Sequence, residues 1–193
     1  MLFRSLRDRF GFTAQLDFYE EEDLARIVKR SASLLNISID EKSVSEIGKR
    51  SRGTPRVANR LLRRVRDFAE VNNHSSISLD SVNAALSMYE VDAIGLDRMD
   101  TAILKVLVER FNGGPVGLTT LSMAIGEEGE TIESVAEPYL VRMGFLARTP
   151  RGRMATELAW KHLGVPIPAS FVDGSADRPA SLSGLFDMPP ADA

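Results

Sequence analysis

The chain has 193 residues, 44% of them hydrophobic, and a formal net charge of −3, which suits one large or two small globular domains with real cores. It contains no cysteine, which excludes disulfides and thiol-ligated metals, and its two histidines, His74 and His162, are too far apart in sequence to suggest a metal cluster or catalytic dyad. No apolar run approaches the roughly 20 residues that span a bilayer, and the N-terminal MLFRSLRDRF lacks the apolar stretch of a signal peptide, so a soluble, cytoplasmic protein without a membrane partner is expected.

Residues 1–18 read as the closing edge of something larger, with Leu16-Asp17-Phe18-Tyr19 as a short strand or extended connector. A helix is predicted from about Glu22 to Leu35, with Leu24, Ile27, Val28 and Leu35 at helical spacing. Asp40 can cap a second helix that carries Val44 and Ile47 and ends near Arg50. The third starts at Thr54-Pro55, an N-cap hydroxyl followed by a proline at the first helical position. A fourth follows Ile77-Ser78-Leu79-Asp80 and carries Val82, Ala85, Leu86 and Tyr89. Residues 19–90 thus form a four-helix domain.

The third helix is the most informative segment. From Arg52 to Arg66 it reads RGTPRVANRLLRRVR, six arginines without an acid. Val57, Leu61, Val65 and Phe68 fall on one stripe, and Arg56, Arg60, Arg63 and Arg64 lie largely off it. Arg56 sits in the first turn, where the helix dipole makes a cation unfavourable and an acid is expected. A phosphate would compensate it, because helix N-termini and guanidinium forks both favour phosphate; a solvated basic face accounts for the arginines equally well.

Residues 91–97 form a linker to a second domain over 98–168. Met99–Phe111 is predicted as an apolar helix, Gly113–Gly117 as a turn, Leu118–Ile125 as a shorter helix and Thr131–Met143 as a third, kinked or cut short at Pro138. Phe145–Arg148 and Arg153–Thr156 then flank Thr149-Pro150-Arg151-Gly152 as a β-hairpin. Three helices and a basic hairpin describe a winged helix-turn-helix, so the whole chain is mainly α with one short β-hairpin wing. From Pro138 to Thr156 there are four arginines, Arg142, Arg148, Arg151 and Arg153, and no acid, a pattern suited to straddling a phosphate backbone; winged helices also serve as protein-docking modules. The predicted recognition helix, Ile132–Arg142, offers mainly Glu133, Ser134 and Glu137 to base edges, a poor set for reading sequence. Residues 169–193 are rich in Ala, Ser, Asp and Pro and are expected to be disordered. The stretch from Val172 onward holds four Asp and one Arg, which leaves residues 1–171 balanced at 23 basic and 23 acidic side chains. Binding to a polyanion must come from local patches.

The motifs SLRDRFG, LDFYEEEDL, RGTPRVANRLLRRVRDFAEV, GGPVGL and RTPRGRMAT, in this order, resemble the RuvB family of bacterial Holliday-junction branch-migration motors. The resemblance covers residues 6–168 and implies an AAA+ small lid domain and a winged-helix head, preceded by a remnant of the large ATPase domain. It implies that Arg56 is the sensor 2 arginine reaching ATP phosphates in the same subunit, that Tyr19 contacts ATP at the hinge, and that Arg9 is an arginine finger acting on a neighbouring subunit's nucleotide. It further implies DNA contacts for Arg148 and Arg153, with Arg151 beside them, a homohexamer, double-stranded DNA or a Holliday junction as substrate, and RuvA and RuvC as partners. Two departures stand out. Gly129 occupies a position where relatives often have arginine, and the sequence contains no G-x-x-x-x-G-K-[ST] phosphate loop and no strand ending in paired Mg²⁺-holding acids. In the family the Mg²⁺ with ATP belongs to the large domain, so no ATP hydrolysis is expected of this chain alone. The alternatives are a stand-alone winged-helix transcriptional regulator and a non-catalytic partner that interferes with full-length motors.

Overall fold

A computed structural model describes residues 17–168 and Phe171; Arg9, the remnant before Asp17 and nearly all of the acidic tail lie outside the described residues. The chain divides into two compact units between Gly95 and Leu96.

The first unit contains four helices: α1 Glu21–Leu34, α2 Glu41–Lys49, α3 Pro55–Val71 and α4 Leu79–Met88. Residues 17–20, the predicted strand or connector, carry no regular secondary structure. The local signals differ from start to start. α1 opens with Glu21, Glu22 and Asp23, which suit the positive end of its dipole. At α2 the Asp40 side chain accepts the Ser43 N–H at 2.7 Å, and that donated hydrogen bond holds the Asp40 carboxyl below its usual range. Ser78 caps α4 by accepting the Ser81 N–H. The helices close over Leu24, Val28, Ile47, Leu61, Leu62, Val65 and Leu86, all at most 1% exposed; each large aliphatic side chain so buried contributes about 1.5–3 kcal/mol. A parallel bridge between Ile39 and Ile77 ties the α1–α2 and α3–α4 connections together.

The second unit begins with α5, Arg98–Lys105, started by a reciprocal capping box: Asp97 accepts the Met99 and Asp100 N–H groups, and Asp100 accepts the Asp97 N–H. The helix widens to a π turn over Val106–Arg110, a change that the sequence pattern does not signal. α6 spans Leu118–Ile125. The predicted third helix is broken into α7, Gly129–Thr131, a π turn, Ile132–Ala136, and α8, Glu137–Arg142. Pro138 explains this. It has no N–H to donate four residues back, and its ring crowds the Ser134 carbonyl there, so the turn before it widens.

Strands β1, Leu146–Thr149, and β2, Gly152–Ala155, pair antiparallel with Arg148 opposite Arg153 and Thr149 opposite Gly152. The hairpin therefore lies within a residue of its predicted position. Gly152 has φ 138°, and a Cβ there would meet the Val116 carbonyl oxygen at 2.4 Å. Its bare backbone lets β2 approach the Gly113–Gly117 turn, where Val116 and Arg153 form an antiparallel bridge. An unpredicted last helix, α9, Glu157–Leu163, buries Ala159 and Trp160; its signals were Thr156 before it and Gly164, at φ 67°, after it. Leu104, Leu107, Leu121, Ile132, Leu140 and Leu146 form the centre of this unit.

Candidate nucleotide and nucleic-acid interfaces

The first candidate site lies at the start of α3. Arg52 and Gly53 both adopt left-handed backbone, with φ 56° and 70°, and turn the chain sharply into Thr54. Thr54 takes the N-cap place and Pro55 the first helical position, as predicted, but the Thr54 hydroxyl does not accept from the helix; it donates to the Arg52 carbonyl oxygen at 3.2 Å. Alone among the helices of this unit, α3 has no acid in its first turn. Among the described residues no side chain compensates the positive end of this helix start, and Arg56 is exposed beside it.

The structure brings Tyr19 to the same place. Its backbone N–H donates to the Gly53 carbonyl oxygen at 3.0 Å, and its side chain is half exposed. Tyr19, which the resemblance assigns to ATP together with Arg56, is thereby tied to the turn three residues before Arg56. From this corner a shallow groove of about 470 Å³ follows α3, lined by Arg56, Asn59, Arg60, Arg63 and Arg64. Arg56 and Arg63 have no acidic partner among the described residues, whereas Arg64 lies 4.8 Å over the Tyr89 ring and Arg66 pairs with Asp67 and Glu70. Two further arginines of the region are structural. Arg50, 11% exposed, binds Glu46 and Asn83, and Arg52 donates to the Gly95 carbonyl oxygen at 2.7 Å.

The second candidate site is the wing. Arg148 and Arg153 stand opposite each other on the hairpin, and Arg151 occupies its exposed two-residue tip with Pro150. The arginines are not bare. Arg148 Nη2 lies 2.6 Å from Glu133 Oε1, and its Nε lies 3.5 Å from Glu137 Oε2. Arg153 pairs with Glu137 through its Nε and approaches Glu133 Oε1 at 3.5 Å through Nη2. Glu137 is 1% exposed and the Arg153 side chain 12%, against 46% for Glu133 and 54% for Arg148. The cluster has a sheltered pair and an outer pair. Arg142, the fourth arginine of the segment, lies 5.1 Å over the Tyr139 ring.

Sequence reasoning placed these glutamates on the recognition helix but missed their partners. The signal was available: Glu133 and Glu137 are four apart on one helical face, and the cross-strand neighbours Arg148 and Arg153 share one face of the hairpin. Gly129 opens α7, and a Cβ there would lie 3.2 Å from Leu118 Cγ. Among the described residues, no group of three acidic or histidine side chains is placed to hold a metal, and no helix is long and apolar enough to cross a membrane.

A four-helix lid followed by a winged helix is an arrangement of AAA+ motor subunits, and both halves match family models of that kind. Residues 19–92 match the RuvB AAA lid domain, and residues 93–164 match the RuvB C-terminal winged helix domain. The Holliday junction branch migration complex subunit RuvB of Acidothermus cellulolyticus is 64% identical over 163 residues, covering 84% of this chain and 44% of that protein; the Mycolicibacterium smegmatis counterpart is 56% identical over 182 residues, covering 94% and 50%. The solved Thermotoga maritima RuvB Holliday junction branch migration motor is 48% identical and superposes with a TM-score of 0.78 over 84% of this chain and 55% of its own. The chain belongs to the RuvB family. It spans about half the length of the curated relatives it matches.

Proposed function

We propose that this chain forms the lid and DNA-gripping head of a subunit of an ATP-driven Holliday-junction branch-migration motor that works in the cytoplasm. The observation that carries this reading is the division of exposed arginines between two differently built places, the groove beginning at α3 and the hairpin wing.

The α3 corner fits a nucleotide's phosphate end. The Arg56 guanidinium and the first-turn N–H groups of α3, left open by the Thr54 hydroxyl, offer donors and positive charge to one anion. Tyr19, held to Gly53, keeps the hinge segment beside that anion. ATP, held with Mg²⁺ by a large ATPase domain, supplies the free energy of phosphoryl transfer that moves DNA. Arg56 senses that nucleotide from the lid, and Arg9 reaches the nucleotide of a neighbouring subunit in a homohexameric ring. RuvA and RuvC are the partners of that complete assembly. The sequence contains no phosphate loop, so no ATP hydrolysis is expected of this chain alone.

At the wing, Arg148 and Arg151 grip the phosphate backbone of duplex DNA. Arg153, sheltered and paired with Glu137, contributes chiefly by fixing β2 against α8. Sequence-specific recognition is disfavoured by what the recognition segment offers. Glu137 is buried, Glu133 faces Arg148, and the Ser134 hydroxyl donates to the Glu130 carbonyl oxygen. The test is binding of the purified chain to short duplexes of unrelated sequence across a salt series. Affinity is expected to be weak and independent of sequence, and the plot of log affinity against log salt to have a slope of about −2 for two phosphate contacts, approaching −3 only if Arg153 joins them. A strong preference for one defined sequence overturns this reading in favour of a regulator.

A further inference from the structure

Glu133, Glu137, Arg148 and Arg153 form a square of alternating charge whose two sides differ in depth. On the inner side, Glu137 and Arg153 are almost wholly removed from solvent. Breaking such a pair strands a charge in a sheltered place, so it persists through changes at the surface. On the outer side, Glu133 and Arg148 are each about half exposed. An exposed pair of this kind holds its members weakly. A carboxylate and a phosphate offer a guanidinium similar paired oxygens, so the Glu133 carboxylate already fills the place on Arg148 that a backbone phosphate needs.

We propose that Glu133 is an intramolecular stand-in for a DNA phosphate, and that duplex binding exchanges the Arg148–Glu133 contact for an Arg148–phosphate contact. The two longer sides of the square make the exchange mild. Arg148 keeps Glu137 Oε2 at 3.5 Å from its Nε while its Nη2 changes partner, and Glu133 keeps the Nη2 of Arg153 at 3.5 Å. Neither departing group is left without an opposite charge, and the hairpin stays seated on α8. Glu133 thereby sets the strength of the grip without touching DNA. It lowers the affinity of the wing so that a phosphate can be taken and released repeatedly.

This inference rests on the reading that the wing holds duplex DNA, and one set of variants separates the two. Binding of a short mixed-sequence duplex to the full chain is measured by fluorescence anisotropy for the parent chain, Glu133→Gln, Arg148→Ala, the double variant, and Glu157→Gln as a control for loss of one surface acid. Glu133→Gln is expected to tighten binding about two- to fivefold, the range set by an exposed ion pair. Arg148→Ala should weaken binding and erase the Glu133→Gln gain in the double variant, and Glu157→Gln should change little. Unchanged or weaker binding by Glu133→Gln overturns the proposal. So does a gain that persists without Arg148 or is matched by Glu157→Gln, since either result reduces it to general charge repulsion. If Arg148→Ala itself leaves affinity unchanged, the wing reading fails and the proposal falls with it. Glu133→Gln alters only an exposed side chain, and thermal unfolding equal to that of the parent is the expected companion result.

Discussion

The arginines of α3 and those of the wing look alike in sequence and are opposites in space. Both lie in acid-free windows of the chain. In the lid the window remains acid-poor after folding: Arg56 and Arg63 face a groove lined by other arginines and Asn59 and find no acidic partner among the described residues. In the wing, folding brings two glutamates from the preceding helical segment onto Arg148 and Arg153. The acid-free window began at Pro138, one residue after Glu137. A run of like charge in sequence therefore fixes the supply of cations, whereas the neighbours supplied by the fold decide how many of them an outside anion can use. Arg56 and Arg63 offer the lid groove charge without an acidic partner among the described residues, suited to a compact polyanion; the wing presents charge already balanced, so the binding proposed for it is an exchange of partners.

The largest test of this contrast is on stability. Glu137→Ala strands Arg153 without its sheltered partner and is expected to destabilise the head by about 3–5 kcal/mol. Arg56→Ala removes an exposed side chain with no acidic partner among the described residues and should cost no more than about 0.5 kcal/mol. Denaturant unfolding of both variants measures the difference, and equal stabilities would remove the structural half of the comparison. On duplex binding the wing should again dominate. On the proposed function, loss of Arg148 and Arg151 together removes two charge-assisted phosphate contacts, each of about 1.5–3 kcal/mol, and duplex affinity should fall by about a hundredfold or more. Arg56→Ala combined with Arg63→Ala should change duplex affinity less than about twofold, because the proposed function places these side chains beside a nucleotide's phosphates and not on DNA. A larger effect from the lid pair would mean that α3 also holds DNA.

What was legible in the sequence followed from strong local signals. The Asp40 cap, the Thr54-Pro55 start and the hairpin strands stand at or within a residue of their expected places, because each is set by side chains adjacent in the chain. The buried side of α3 was legible too, although its centre runs through Ala58, Leu61, Leu62 and Val65, with Val57 and Phe68 only half-buried at its margins. Three things were not legible. The Thr54 hydroxyl turned back to Arg52 because the left-handed Arg52-Gly53 pair places that carbonyl within its reach. The π turn before Pro138 is a compromise between continuing a helix and losing a donor, which a periodicity of 3.6 cannot express. The meeting of Tyr19 with Gly53 depends on tertiary placement alone, whereas that of Glu133 with Arg148 left a trace in the sequence only as the matching spacing of the two pairs.

The smallest expected effect sharpens the comparison from the other direction, by adding an arginine outside the hairpin. Gly129 begins α7, three residues before the π turn, with backbone that any residue can adopt; a side chain there must press Leu118 Cγ, at 3.2 Å, aside by a few tenths of an ångström. Leu118 is only partly buried and its side chain can yield. Gly129→Arg is therefore expected to fold, with a stability change within about 1 kcal/mol. If the new guanidinium reaches a phosphate, the salt plot should steepen by about 0.9, the value of one added contact. Glu128 and Glu130 flank the position, and their charge should hold the gain in affinity to a few-fold. A steeper slope with only this modest gain would place α7 beside the DNA and show that nearby carboxylates restrain arginines there as Glu133 is proposed to restrain Arg148. An unchanged slope would confine the grip to the hairpin.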